Sequence, residues 1–451
     1  MPVDDISSLI RQALNQRRSD STFRSRRAVT ILDSTHVEID GRRLINFASN
    51  NYLGLTHHPA VVAAFVSTAS GSSIDLGREL TPSPGTPGDG GGEGDFEGQP
   101  AFENRNHPHP NPLPEYRERG PELKHKSAGV GSGAAPLITG HSDHHALAEQ
   151  TLADWKRTES AVLLASGYTA NLAAVQMLAA VTSASNRPIR FLLDKLCHAS
   201  LVDAVQAVSD GEKISYRVFP HNHLPKLERL LSEADPSTQQ VVVTESIFSM
   251  DGDRANLAGI AELKNRFPFL LLLDEAHGSG VYGPGGSGLA AELGLKDSVD
   301  LTIVTLSKAI GCMGGAICGS RLMCDAVVNF ARPYIFSTAL PPAIAAAVTA
   351  ALGVMRDEPQ RQQRVRELAR RVRQSLALPD DDSPIIPIIL GDETRALDAA
   401  EQLRSKGILT VAVRPPTVAR GTSRLRLTLS CDHTDEEVAQ LAAACKACID
   451  K

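Results

Sequence analysis

FLLLLDEAHG, residues 269–278, sets five apolar residues in a row and then breaks off at an acid, with a histidine three positions later. A short apolar run that stops on polar residues reads as a strand buried on both faces. Four more such runs follow the same pattern: AVLLAS (161–166), RFLLD (190–194), QVVVTES (240–246) and LTIVTLSKA (301–309). Helical stretches separate them, as at 257–267. Strand and helix alternating at this pitch predict an α/β protein, a mostly parallel central sheet with helices on both faces. In such a sheet the site lies beyond the C-terminal ends of the strands. Ser166, Asp194, Glu245, Asp274 and Ser307 all fall there.

Two of these ends carry chemistry. An acid at a buried strand end, such as Asp274, wants a cation or a protonated ring nitrogen as partner. Lys308 ends another buried run, where a lysine is costly unless paired or covalently modified. Read alone, Lys308 is a solvated residue opening a helix. Thirty-four residues separate it from Asp274, one βαβ step, so both stand at one edge of the sheet. The pair matches what pyridoxal phosphate needs, an acid for the pyridinium nitrogen and a lysine for the Schiff base. Ser166-Gly167-Tyr168-Thr169 opens a helix after a strand and offers free backbone N–H groups to a phosphate. Thr305 can add a hydroxyl, and His198, also past a strand end, can stack on the ring. His141, Asp143, His144 and His145 suggest metal ligands, but adjacent helical residues diverge and zinc needs converging donors. Ser142 or Asp143 as a helix cap is the better reading, and no metal is expected.

Outward from this core, PIIPIIL (384–390), ILTVAV (408–413) and SRLRLTLS (423–430) follow a long helical region from Pro341, and a helix starts at Asp435. They predict a smaller α+β C-terminal domain over 341–451, after a large domain over 51–340. Residues 1–50 begin with an amphipathic helix (Ile6, Leu9, Ile10, Leu14) and return to the small domain. Between 81 and 120, Gly and Pro fill 16 of 40 positions, too little apolar surface to offset ordering entropy. A disordered insertion over 72–124 is expected. The chain of 451 residues carries a net charge of −6 and no basic cluster, which argues against nucleic-acid or membrane partners. Its seven scattered cysteines form no disulfide framework, and Cys445 and Cys448 read as part of a surface helix. No signal peptide or spanning segment is legible, so a cytoplasmic protein is expected.

The chain also resembles a known family, the α-oxoamine synthases, among the fold-type-I pyridoxal phosphate-dependent transferases. The matching segments are NFASNNYLGLTHHP (46–59), GVGSG (129–133), ASGYTAN (165–171), DKLCHASLVDA (194–204), TESIFSMDGD (244–253), DEAHGSGVYG (274–283), TLSKAIG (305–311), FSTALPP (336–342) and VRPPTVARGTSRLRL (413–427). They run in family order over nearly the whole chain outside the insertion. The resemblance implies a pyridoxal phosphate-dependent acyltransferase. Its last segment is closest to the branch that joins L-alanine to a pimeloyl thioester, carried on coenzyme A or a carrier protein, in biotin synthesis. A glycine-using sibling and a catalytically silent structural subunit are the alternatives; an aminotransferase or decarboxylase fits that segment less well. By position, Lys308 would hold the cofactor and then act as base. Asp274 would pair with the pyridinium nitrogen, His277 and Ser249 would bond the phenolate oxygen, and His198 would stack. Gly167, Tyr168 and Thr305 would hold the phosphate, with Thr338 reaching in from the second subunit of a homodimer. Arg426 would take the amino-acid carboxylate, which suits guanidinium geometry. Arg24 and Thr417 match positions that contact substrate.

Overall fold

The computed structural model of the chain describes residues 6–19, 23–72 and 127–449. Apart from Ser72, the insertion expected over 72–124 lies outside the described residues. Three short strands come first, β1 (Thr30–Ile31), β2 (His36–Ile39) and β3 (Arg42–Asn46). Seven follow: β4 (Ser160–Leu164), β5 (Ile189–Asp194), β6 (Ile214–Phe219), β7 (Gln239–Glu245), β8 (Leu270–Asp274), β9 (Leu301–Thr305) and β10 (Gly315–Gly319). They form one sheet in the order β4-β10-β9-β8-β7-β5-β6. Strands β6, β5, β7, β8 and β9 are mutually parallel, and β10 is antiparallel to both its neighbours, β4 and β9. The mostly parallel sheet is therefore present. It holds two strands, β6 and β10, beyond the five runs legible in the sequence.

The apolar runs are continuous because both faces of the sheet are covered. Along β8, Leu271 and Leu273 enter one core cluster and Leu272 the other. Val242 on β7 and Leu192 on β5 likewise face the opposite way from Val241, Val243, Phe191 and Leu193. A period of two is thus hidden inside an unbroken run. One side is closed by helices that include Gly167–Ala184, Ala199–Val208 and Arg321–Phe330, the other by Asp143–Lys156, Leu257–Arg266 and Pro342–Asp357. Burying a leucine fully stabilises by about 1.5–3 kcal/mol. These runs hold the strand ends, with their polar groups, in register.

The remaining strands are β11 (Ile385–Gly391), β12 (Ile408–Leu409), β13 (Val411–Val413) and β14 (Ser423–Thr428). Strands β11, β14 and β13 make an antiparallel sheet, and β12 pairs in parallel with β3. The chain after β3 stays attached there: Phe47 N–H donates to Leu409 O and Thr428 N–H to Phe47 O. That attachment carries Asn50 and Tyr52 to the large sheet. The helical region after Pro341 is two helices, Pro342–Asp357 and Gln360–Ser375, broken at Glu358-Pro359.

Three smaller expectations can be compared with the structure. Ser142 caps the helix Asp143–Lys156, while His145 bonds Leu340 O at 2.7 Å and His141 bonds Glu149 at 2.9 Å. Cys445 and Cys448 lie on a helix with one exposed face, Asp435–Ile449, and both are on its buried side. Burial pushes the Cys445 thiol up to about 12. The N-terminal helix Ile6–Ser19 forms as expected, with its apolar residues exposed. Among the described residues, no helix is long and apolar enough to cross a membrane.

Candidate active site

The C-terminal ends of β4, β5, β7, β8 and β9 converge on a cavity of about 250 Å³. Gly167, Tyr168, His198, Asp274, Thr305 and Lys308 line it together, as their positions past the strands require. Asp274 and Lys308 follow adjacent strands, β8 and β9. Asp274 is almost wholly buried and hydrogen-bonded on both oxygens: Asn171 Nδ2 donates to Oδ2 at 2.8 Å and Ala276 N–H to Oδ1 at 2.9 Å. Asn171 Nδ2 also reaches Ser200 Oγ at 2.8 Å, and that hydroxyl lies 2.8 Å from His198 Nδ1. The acid and the exposed His198 ring are therefore held by one polar cluster.

Lys308 Nζ sits 2.9 Å from His277 Nε2. Burial pushes the Lys308 ammonium down to about 8; Asp274 and Glu245 oppose the shift, and Arg426 adds to it. Burial, with Lys308 and Arg426 nearby, also holds His277 well below the usual histidine value. Burial and Lys308 lower His198 in the same sense. Glu245 lies opposite Asp274 in the β7–β8 register and is held well above the usual carboxylate range, first by burial and then by Asp274. Two adjacent buried acids thus differ in role: Asp274 is hydrogen-bonded on both oxygens, whereas Glu245 Oε1 has no partner.

The phosphate end is shaped by Gly167. Ser166 caps the helix Gly167–Ala184, its side chain accepting from Thr169 N–H. A Cβ on Gly167 would stand 2.1 Å from Thr305 Oγ1, so only glycine lets the helix start approach the end of β9. Exposed backbone N–H groups and a threonine hydroxyl then share one concave wall, which suits an anion. With an amine, a buried carboxylate and an accessible imidazole across the cavity, this donor set fits pyridoxal phosphate. Tyr168 is exposed and its hydroxyl donates to Asp203 at 2.8 Å, so it lends the wall its backbone rather than its phenol.

Arg426, on β14, is buried behind the site; its Nε donates to Ser249 O at 2.6 Å and its Nη2 to Asn50 Oδ1 at 3.2 Å. Ser249 and His277 are thereby close to the cavity without lining it. Arg24, Thr417 and Thr338 are exposed and lie outside it. Thr338 instead borders a separate small pocket with Pro136, His141 and Tyr334. Sequence reasoning gave no role to Asn50, Tyr52, Asn171 and Ser200, and it placed Glu245 at a strand end beside the site without assigning it one. Asn171 is one helical turn after Gly167 and Ser200 two residues after His198, spacings that carry a signal. Asn50 and Tyr52 fall inside the segment 46–59 that carries the family resemblance, but no spacing ties them to the site, since more than two hundred residues separate them from His277 and Lys308.

The family model for class I and II aminotransferases matches residues 97–444. An 8-amino-7-oxononanoate synthase of Klebsiella pneumoniae subsp. pneumoniae is 36% identical over 440 residues, covering 96% of each chain. One of Anaeromyxobacter sp. (strain K) is 38% identical over 413 residues, covering 90% of this chain and 87% of the relative. Among solved structures, serine palmitoyltransferase from S. paucimobilis shares the fold with a TM-score of 0.79 and 24% identity over 98% of both chains. The chain belongs to the class I and II aminotransferase family of pyridoxal phosphate enzymes and, within it, to the α-oxoamine synthases, which are C-acyltransferases.

Proposed function

We propose that the chain condenses L-alanine with a pimeloyl thioester, releasing carbon dioxide and the free thiol carrier and giving 8-amino-7-oxononanoate for biotin synthesis. The observation that carries this reading is the match, over nearly its whole length, to relatives that bear that enzyme's name. When bound, pyridoxal phosphate supplies an electron sink that makes the amino acid's Cα proton removable. The residues assigned to hold it are Lys308 at the aldehyde carbon, Asp274 at the ring nitrogen, His198 on the ring face, and His277 with Ser249 at the phenolate oxygen. Gly167, Tyr168 and Thr305 take the phosphate, and Thr338 joins them from the second subunit of a homodimer.

Arg426 receives the alanine carboxylate; its guanidinium is already oriented by Ser249 O and Asn50, so little freedom is lost on binding. Arg24 and Thr417 contact the substrate. Lys308 takes the Cα proton on Nζ, and burial gives it a pKa of about 8, close to that of a working base at neutral pH. The test is the absorption spectrum of the loaded protein titrated with L-alanine and with glycine, followed by product analysis with pimeloyl-coenzyme A. Choosing between amino acids that differ by one methyl group is worth about tenfold or more in kcat/KM. A preference of that size for alanine supports the proposal; turnover with glycine alone moves the chain to the glycine-using branch.

A further inference from the structure

Strand β14 carries two arginines on one face. In SRLRLT, Leu425 and Leu427 enter the core, so the pleat turns Arg424 and Arg426 together to the other side, toward the turn at 248–253. Both side chains are buried, and a buried guanidinium is costly unless it is paired. Their partners differ. Arg424 Nη1 donates to the Asp251 carboxylate and reaches Met250 O at 3.5 Å, while its Nε donates to Thr422 O at 3.0 Å. Arg426 is bonded to Ser249 O and Asn50 Oδ1, both neutral, and makes no ion pair among the described residues. The acid at the tip of the turn is thus taken by Arg424, which leaves the charge of Arg426 for an incoming anion.

The turn is braced within itself: Gly252 N–H donates to Phe248 O at 2.8 Å and Phe248 N–H to Asp253 O at 3.0 Å. Its far side is tied to the loop after β6, where His221 Nε2 lies 2.7 Å from Asp253 Oδ2. Arg424 ties its near side to β14. Ser249 O, which orients Arg426, is two residues from Asp251, so a turn that moves as one body passes the placement of Asp251 on to it.

We propose that Arg424, through its pair with Asp251, is a positioning residue for the amino-acid carboxylate: it locks β14 to the 248–253 turn and so sets the direction of the Arg426 guanidinium. A paired seat for a carboxylate needs two N–H groups in a fixed plane, so a small rotation weakens the grip on that group alone. The amine end of the same substrate meets other residues and is indifferent to the rotation. The inference deepens the reading above and rests on Arg426 being the carboxylate's partner.

The test uses the protein loaded with pyridoxal phosphate and reads its visible absorption on titration with L-alanine and with ethylamine. Ethylamine is alanine without its carboxylate, so the ratio of the two Kd values isolates that group, and damage common to the whole cavity cancels. Arg424→Met and Asp251→Ala are each expected to weaken alanine about fivefold relative to ethylamine. The double variant is expected to lose no more than either single one, since the same link is broken in all three. The Asp251 side chain is 33% exposed, so Asp251→Ala decides the matter alone if Arg424→Met does not fold. A ratio unchanged in either folded single variant, whatever happens to thermal stability, overturns the proposal. Losses that multiply to about 25-fold in the double variant overturn it too, because they would come from two independent sites. Arg426→Met tests the reading beneath: if it leaves the ratio unchanged, Arg426 is not the carboxylate's partner, and the proposal falls with that reading rather than on the Arg424 variants.

Discussion

His221 stands between two carboxylates, with Nδ1 2.9 Å from Asp194 Oδ1 and Nε2 2.7 Å from Asp253 Oδ2. Both ring nitrogens must therefore carry hydrogen, and the ring is an imidazolium. Burial opposes that charge, but the hydrogen bonds to Asp194 and Asp253 win and raise the pKa to about 10. Asp194 ends β5, four residues before His198, and Asp253 lies four residues past Ser249. The ring thus ties together the two loops that flank the cavity. Its pKa is higher in the folded chain than its ordinary value of 6.5. The stabilisation is therefore complete below about pH 6.5, declines as pH rises, and is gone above about pH 10. His221→Gln keeps one hydrogen bond at most and leaves the buried Asp194 without its cation, at a cost of about 2–4 kcal/mol. Thermal unfolding measured between neutral and alkaline pH should show the wild-type midpoint falling more steeply than that of the variant. Parallel slopes would mean that His221 is neutral.

At the scale of the element, what was legible depended on how plainly each strand shows its burial. Strand β8 could be read because all its apolar residues are consecutive and its end is polar. The pleat then sends Asp274 into the cavity and Glu275 to the far side, where Glu275 accepts from the buried Lys156 at 2.7 Å. Strand β6, ISYRVF, was missed because it is an edge strand and only Phe219 is fully buried. Strand β10, GAICG, was missed because glycine hides it. A Cβ on Gly315 would stand 2.4 Å from Ser166 O, so the residue is small to fit the turn that feeds the phosphate wall. Gly167 meets the same constraint from the other side, and this gives a prediction. Gly167→Ala must push the helix start away from Thr305, whose Oγ1 lies 2.1 Å from the added carbon. Moving the N–H groups by a fraction of an ångström weakens anion binding, and about 1.4 kcal/mol of lost contact raises the Kd for pyridoxal phosphate about tenfold. Equilibrium titration of the apoprotein measures it; an unchanged Kd would mean that the phosphate is held elsewhere.

Across the whole molecule, the site is assembled from distant parts of the chain, which is why its polar lining was harder to read than its fold. Residues 45–46 pair with 408–409, and that junction brings Asn50, Tyr52 and Arg426 to the end of a sheet built from residues 160–319. Thr338 does not join them within one chain. It is exposed, and so are Phe336 (70%), over whose ring Arg332 lies, and Ile138 (77%), both large apolar side chains. A face of this kind beside an assigned phosphate ligand is expected to be covered by a second copy, with each Thr338 serving the other's cavity. Complementation separates this arrangement from service within one chain. Lys308→Ala removes the proposed base, and Thr338→Asp sets a negative charge against the phosphate, so each variant alone should be nearly inactive. Unfolded together and refolded as a mixture, they would form mixed dimers in which one cavity has both native residues and the other neither. Random pairing then restores about a quarter of wild-type activity per chain. If Thr338 acts in its own chain, every cavity in the mixture keeps one defect and no activity returns.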